Sequence, residues 1–358
     1  TDRDTLPDDW EIANGRDPLV ADYQVSAGVS HTCALDDIGV VCWGNNEFDQ
    51  IDVPTLSNPI QVSSGEHHTC ALDDTGVVCW GRNSYGQTDV PALNNPTQIS
   101  LGYKHTCAFD DTGLVCWGYS SNGSTSPPVL SNPTQVSLGW VHTCALDDTG
   151  VNCWGGNFPA VTTVPALTNP TQISAGTTST CALDDTGVVC WGQSGVSALD
   201  VPQLTNPSQI TLKTSRACAL DTTGVVCWGT DYEPPVPALK NVAKVSTGAD
   251  HTCVLDYTGI VCWGDNSYRM TDLPNLVFDP DGDGYSHQDG ADPFPFDASE
   301  WLDTDSDGSG NNTDADDDGD GVLDANDDWP LDHRYSLDSD SDGMPDAFED
   351  TNGLDKYN

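Results

Sequence analysis

Fourteen cysteines set out as seven pairs limit what this chain can fold into. The pairs are Cys33/Cys42, Cys70/Cys79, Cys107/Cys116, Cys144/Cys153, Cys181/Cys190, Cys218/Cys227 and Cys253/Cys262, nine residues apart and recurring every 37 residues until a last step of 35. No cysteine is left over. In a unit such as Cys70-Ala71-Leu72-Asp73-Asp74-Thr75-Gly76-Val77-Val78-Cys79-Trp80-Gly81, apolar residues flank a polar Asp-Asp-Thr-Gly loop. Folding about that loop sets Leu72 opposite Val77 and Cys70 opposite Cys79 on one face of a two-stranded ladder. Closing such a loop stabilises each unit by about 2.5–3 kcal/mol on the loop-entropy estimate. Redox or zinc chemistry needs Cys-x-x-Cys spacing or ligand clusters, which are absent, so we read seven structural disulfides.

Paired cysteines imply an oxidising compartment, and we expect a secreted or cell-surface protein of bacterial origin. The chain carries 56 acidic against 11 basic residues, a formal charge of −45. Such a surface repels nucleic acid and anionic membrane and attracts cations. No apolar run is long enough to span a bilayer, so no membrane insertion is expected. There is no signal peptide and no initiating Met, so the chain reads as a processed product or an excised piece.

Around each cysteine pair the repeat has four apolar segments. The first is Gln61-Val62-Ser63, echoed by Gln98-Ile99-Ser100 and Gln135-Val136-Ser137. The stapled hairpin supplies the second and third, read as the inner half of a blade. The fourth is a Pro-x-Leu segment at Pro54, Pro91, Pro128, Pro165, Pro202, Pro237 and Pro274, usually followed by an Asn-Pro turn. Four short strands per unit, a period near 40 and no room for helices predict an all-β, seven-bladed propeller. We place it at 20–277, between a partial calcium motif and linker at 1–19 and an irregular calcium-binding repeat region at 278–358.

The run Val62-Ser63-x-Gly65-x-x-His68-Thr69-Cys70-Ala71-Leu72, then Gly76-Val77-Val78-Cys79-Trp80-Gly81-x-Asn83-x-x-Gly86-Gln87, resembles the regulator of chromosome condensation type of propeller repeat. The resemblance covers about 250 residues. Short blades, systematic disulfides and acidity depart from the eukaryotic nuclear members and argue against nucleotide exchange or chromatin binding. The secreted bacterial short-blade members include inhibitors of β-lactamase, so the resemblance implies a protein-binding scaffold. The sixth repeat has Lys213 for Gly, Arg216 for His and Thr222 for the second Asp. Loops between Trp-Gly and Pro-x-Leu diverge, and on a common rim they would be where recognition resides.

After Phe278 the composition turns to Asp and Gly, with 24 Asp and two Glu against Arg334 and Lys356 from residue 277 to the end. Asp338, Asp340, Asp342, Asp346 and Glu349 stand at positions 1, 3, 5, 9 and 12 of a loop whose sixth residue is Gly343, the pattern of an EF-hand calcium loop. Asp303, Asp305, Asp307, Asn311 and Asp314 form a second loop, and Asp316, Asp318, Asp320, Asp324 and Asp327 a third. Asp279, Asp281 and Asp283 start another, in which His287 and Gly290 take positions 9 and 12, so Asp289 or Asp292 must serve. At the other end Asp2, Asp4, Asp8 and Glu11 match positions 3, 5, 9 and 12, with position 1 falling before Thr1. Its first ligand was cut off with upstream sequence, or a neighbouring molecule or water supplies it. These segments resemble thrombospondin type 3 calcium repeats, which implies several calcium ions wrapped by irregular backbone. Without metal, repulsion prevents packing.

Asp74-Thr75-Gly76 and its copies spell the triplet of aspartic proteases, but that chemistry needs two carboxylates sharing one cleft. Turn chemistry explains a triplet repeated in successive hairpins, and no enzyme is expected. His31, His68, His105, His142 and His251 share one repeat position and could ring a metal or an anion. Ser179 and Arg216 break the ring, and we read a structural histidine making the same backbone hydrogen bond in each blade. Trp43, Trp80, Trp117, Trp154, Trp191, Trp228 and Trp263 lie opposite the staple, as inter-blade core or, alternatively, as an exposed ladder for sugars. The sequence therefore reads as an extracellular, calcium-stabilised structural or adhesive protein, one unit of a surface protein or filament that self-associates or binds other extracellular proteins. The alternative is a secreted protein-binding inhibitor or receptor-like propeller.

Overall fold

The computed structural model describes residues 23–36, 38–229, 235–256, 259–276, 285, 292–294, 297 and 299–357. Among them, 23–276 form one compact unit and 285–357 another.

The first unit contains seven antiparallel sheets, one per repeat. Blade 1 comprises β1 (Gln24–Ala27), β2 (His31–Asp36) and β3 (Gly39–Gly44), and blade 2 comprises β4 (Gln61–Ser64), β5 (His68–Asp73) and β6 (Gly76–Gly81). Blade 3 has β7 (Gln98–Leu101), β8 (His105–Asp110) and β9 (Gly113–Gly118), and blade 4 has β10 (Gln135–Leu138), β11 (His142–Asp147) and β12 (Gly150–Gly155). Blade 5 has β13 (Gln172–Ala175), β14 (Ser179–Asp184) and β15 (Gly187–Gly192). Blade 6 has β16 (Gln209–Lys213), β17 (Arg216–Asp221) and β18 (Gly224–Trp228), and blade 7 has β19 (Lys244–Thr247), β20 (His251–Asp256) and β21 (Gly259–Gly264).

Hairpin register follows the polar loop. Cys70 pairs with Cys79 and Leu72 with Val77, and the same pairing recurs in the other blades. Disulfides join Cys33 to Cys42, Cys70 to Cys79, Cys107 to Cys116, Cys144 to Cys153, Cys181 to Cys190, Cys218 to Cys227 and Cys253 to Cys262, with Cα–Cα separations of 4.0–4.1 Å. That approach matches the closer, non-hydrogen-bonded class of antiparallel pair.

Three details differ from the sequence reading. Each sheet has three strands rather than four, because the Pro-x-Leu segments join no ladder among the described residues. Proline lacks the N–H a ladder needs, and these segments instead press Leu93, Leu167, Leu204 and Leu239 against the inter-blade core. The hairpin is also the outer part of the blade. The Gln-led strand is innermost, and from the end of this strand in blade 6 Lys213 Nζ donates to the Ser64 carbonyl of blade 2 at 2.9 Å.

The third difference concerns the staples, whose two cysteines the sequence reading treated alike. Cys33, Cys70, Cys107, Cys144, Cys181, Cys218 and Cys253 are wholly buried, whereas Cys42, Cys79, Cys116, Cys153, Cys190, Cys227 and Cys262 are only half-buried. The first of each pair lies on the middle strand, flanked by a strand on either side, and the second lies on the edge strand, which has a neighbour on one side only.

Alternation along the second strand gives each blade two unlike faces. His68, Cys70 and Leu72 face blade 3, where the last two pack with Ile99, Leu101, Ala108 and Trp117. Thr69 and Trp80 face blade 1, where both donate to the Gln50 carbonyl. The core therefore lies between blades, with the disulfide of one against the tryptophan of the next. First strands are stitched by side chains: the Gln61 amide donates to Ile99 O and its Oε1 accepts the Ile99 N–H. Blade 7 meets blade 1 in the same way, through Lys244 Nζ to Tyr23 O, Ala27 N to Ser246 Oγ and Trp43 Nε1 to Met270 O. The ring is closed by the contact used between its other blades.

The second unit has no strand among its described residues. It contains a short helix, Asp346–Asn352, and loops held by carboxylate-to-amide hydrogen bonds. No helix among the described residues is long and apolar enough to cross a membrane.

Candidate metal centre and histidine ring

Three loops of the acidic unit repeat one pattern. In the first, Asp303 Oδ2 accepts the Gly308 N–H, Asp305 Oδ1 the Asp307 N–H and Asp307 Oδ1 the Ser309 N–H. In the second, Asp316 accepts from Gly321, Asp318 from Asp320 and Asp320 from Val322. In the third, Asp338 accepts from Gly343, Asp340 from Asp342 and Asp342 from Met344. The ninth residue of each loop, Asn311, Asp324 or Asp346, accepts from the second amide. Gly308, Gly321 and Gly343 have φ of 98°, 92° and 89°, the left-handed turn that favours glycine at position 6.

Among the first, third and fifth residues of these loops, each uses one oxygen in such bonds except Asp338, whose two oxygens accept the Asp342 and Gly343 N–H groups. Ligand oxygens of Asp303, Asp305 and Asp307 lie within 4.8 Å of one another, as do those of Asp316, Asp318 and Asp320 and those of Asp338, Asp340 and Asp342. Shielded oxygens of Asp303, Asp316, Asp318, Asp327, Asp340 and Glu349 have no hydrogen-bond partner. Burial, then the neighbouring carboxylates Asp342 and Asp338, push the Asp340 pKa up, and burial with Asp340, Asp342, Asp346 and Asp338 does the same to Glu349. Oxygen-only clusters of this kind can hold a hard divalent cation, which satisfies the orphaned acceptors and offsets their repulsion.

Other expected ligands are placed differently. Asp314 turns both hydrogen bonds onto the Ala315 and Asp316 amides, opening the next loop. Asp292 is buried and accepts the Phe294 N–H at 2.7 Å. Asp2, Asp4, Asp8, Glu11, Asp279, Asp281, Asp283 and Asp289 lie outside the described residues. Sequence reasoning missed Glu300, which is 3% exposed, accepts the Asn312 N–H through Oε2 and leaves Oε1 without a partner. A twelve-residue count from Asp289 ends on it.

The histidines form no metal cluster among the described residues. Each Nε2 instead meets the threonine hydroxyl of the following blade: His31 with Thr69, His68 with Thr106, His105 with Thr143, His142 with Thr180 and His251 with Thr32, at 2.7–3.1 Å. The expected backbone partner is thus one step removed. Thr69, Thr106 and Thr143 donate onward to the Gln50, Gln87 and Ser124 carbonyls, so Nε2 of His31, His68 and His105 is the donor and their Nδ1 carries no proton. Burial drives His68 and His105 down to about 3 and His142 and His251 to about 4. The rings are neutral struts.

The exceptions are paired. Where Ser179 replaces His, the facing position holds Ala217 rather than Thr. Lys213 replaces Gly in the one blade where Arg216 replaces His. At Gly65 an added Cβ would collide with the His68 ring, so a side chain at this position requires the ring to be absent. Thr143→Val strands the His105 N–H in a dry interface, and urea melts are expected to show a loss of about 1–3 kcal/mol.

The Asp-Asp-Thr-Gly triplets are committed to turns. Asp73 Oδ1 accepts from Thr75 N and Oγ1, its Oδ2 accepts from Ser57 N, and Asp74 accepts from Asn58. Six of the tryptophans are buried and Trp154 is half-buried, which excludes the exposed ladder.

Four repeats match the Regulator of chromosome condensation (RCC1) repeat family, at residues 23–50, 60–87, 97–124 and 242–269. No curated protein matches the chain. Among solved structures it is similar to the ectodomain of the Physcomitrella patens receptor kinase CR4, at 22% identity and a TM-score of 0.58 over 67% of this chain and 73% of that one. It is also similar to the CRINKLY WD40 ectodomain of the Arabidopsis thaliana receptor kinase ACR4, at 22% identity and a TM-score of 0.57 over 67% and 94%. These likenesses extend to the propeller fold.

Proposed function

We propose that this chain is an extracellular, calcium-stabilised structural or adhesive module, with the propeller as rigid scaffold and the acidic unit as a spacer set by calcium. The observation that carries this reading is the loop built three times over, with an oxygen-only triad and shielded, unpartnered carboxylate oxygens in each. The seven disulfides and the receptor-ectodomain likeness support an oxidising, extracellular setting, where modules of this chemistry bind calcium at about 10⁻⁴–10⁻³ M. Asp338–Glu349 and the motif at Asp2–Glu11 would then rigidify the ends through which copies or other extracellular proteins join. Asp279, Asp281, Asp283 and Asp289 or Asp292 would hold a further ion.

Solution scattering with calcium and then with excess chelator tests this. Calcium is expected to compact the chain and raise the melting temperature of the acidic unit, and chelator to expand it. Glu349→Gln with Asp340→Asn should remove one calcium from the stoichiometry measured by titration calorimetry. Unchanged scattering in chelator overturns the reading. A second reading, a secreted binder that captures a protein through its loop rim, is favoured by the divergent loops there, and it expects compact monomers in both conditions.

A further inference from the structure

The two rims of the propeller differ in chemistry. First and third strands of a blade end on one rim, and the second strand ends on the other, which carries the Asp-Asp-Thr-Gly turns. Every exposed aromatic side chain among the described propeller residues, Tyr85, Tyr119, Trp140, Phe158 and Tyr268, follows a first or third strand and so stands on the loop rim.

Three of them form one patch on blades 2–4. The Tyr85 and Tyr119 ring centroids are 5.1 Å apart, edge to face. Lys104 Nζ lies 5.3 Å from the Tyr85 centroid and 5.9 Å from that of Trp140, bridging the two rings. The backbone beneath is anchored: Tyr119 N–H donates to Lys104 O at 2.8 Å, and Tyr85 N–H to the buried Gln87 side chain at 2.9 Å. Tyr85, Tyr119 and Trp140 remain 38–40% exposed on this fixed support.

The charge around the patch is unlike that of the chain. Against a total of −45, the charged residues between Asp111 and Lys213 are Asp147, Asp148, Asp184, Asp185 and Asp200, of which the first four lie in turns on the opposite rim. Across blades 3–5 the loop rim has Lys104 and Asp200 as its charges and exposes amides and hydroxyls such as Ser120, Asn122, Asn157 and Gln193. On blade 2 the same rim carries Glu66, Arg82 and Asp89, which are engaged with His67, the Phe48 ring and Asn83. A macromolecule recognised through charge would find little to pair with here. A sugar ring has an apolar C–H face that fits an aromatic plane and a rim of hydroxyls that fits amides and hydroxyls. An uncharged polymer is also not repelled by the field of 56 acidic residues.

We propose that the loop rim of blades 2–4 binds an uncharged polysaccharide, with Tyr85, Tyr119 and Trp140 as the stacking platform and Lys104 as a hydroxyl-facing donor that also holds two of the rings in place. The proposal rests on the extracellular placement above, but its site is in the propeller rather than the acidic unit, so the scattering result and this one fail independently.

Affinity electrophoresis of the full chain with calcium, in native gels containing laminarin, galactomannan, xyloglucan or amylose, tests it, with alginate and polymer-free gels as controls. Retardation is expected in at least one neutral gel. Trp140→Ala and Tyr119→Ala, both at exposed positions that leave the fold intact, should each weaken it at least tenfold. Ile38→Ser, on the opposite rim, should behave as wild type. Unchanged mobility in all neutral gels, retardation that survives both aromatic truncations, or retention by alginate alone would each overturn the proposal.

Discussion

Acidification from pH 7 to 4.5 is expected to unfold the propeller. His68, His105, His142 and His251 titrate at about 3 to 4 in the fold because burial penalises the imidazolium, against 6.5 for an exposed ring. His31 is likewise held well below that value by burial, then by Lys213. A depressed folded pKa contributes stability that is complete above the unfolded value and is lost as pH falls through it. At pH 4.5 each of the four costs roughly 2–3 kcal/mol, on the order of 10 kcal/mol together, comparable with the ~5–15 kcal/mol that holds a typical domain. Protonation would add a proton at Nδ1, which has no partner in any of the five rings. Urea melts followed by tryptophan fluorescence at pH 7.5, 6 and 5 should show a steep loss of midpoint, and His105→Gln should remove about one proton's worth of that slope. A midpoint that does not move between pH 7 and 5 overturns the account.

Full reduction at neutral pH has a still larger expected effect. Each staple closes a short loop and contributes about 2.5–3 kcal/mol through the unfolded chain, so seven together exceed the net stability of an ordinary domain. The reduced propeller is expected to unfold at 37 °C, with a red shift as the inter-blade tryptophans reach water. Removing one staple, as in Cys107→Ser with Cys116→Ser, should lower stability by about 2.5–3 kcal/mol and leave the ring folded at 25 °C. The acidic unit contains no cysteine, so the calcium binding proposed above should survive reduction. Native fluorescence and an unchanged melting temperature with all 14 thiols titratable would contradict this.

What was legible in the residues was local. Hairpin register follows from the symmetry of Leu72 and Val77 about a polar turn, and the Asp-x-Asp-x-Asp-Gly spacing specifies a loop whose amides and carboxylates lie within a few residues of one another. What joins the blades was not legible, because much of it is backbone. Trp80, Trp117, Trp154, Trp191, Trp228 and Trp43 donate to the carbonyls of Gln50, Gln87, Ser124, Val161, Ala198 and Met270. A carbonyl is common to all residues, so side chains at that position can diverge while the contact persists. The divergent loops therefore looked free along their whole length, although each of these residues is buried.

By itself the sequence determined the repeat, its staples and the acidic Asp-x-Asp-x-Asp-Gly loops, since each depends on residues within about a dozen positions of one another. Tertiary structure alone decided that the hairpin is the outer part of the blade, that histidine meets a threonine 38 residues on, and that Ser179 and Ala217 are one coupled change. It also brought Tyr85, Tyr119 and Trp140 together from three blades. The physical reason is common to all of these: they depend on which face of one blade meets the next, and that geometry exists only once the ring has closed.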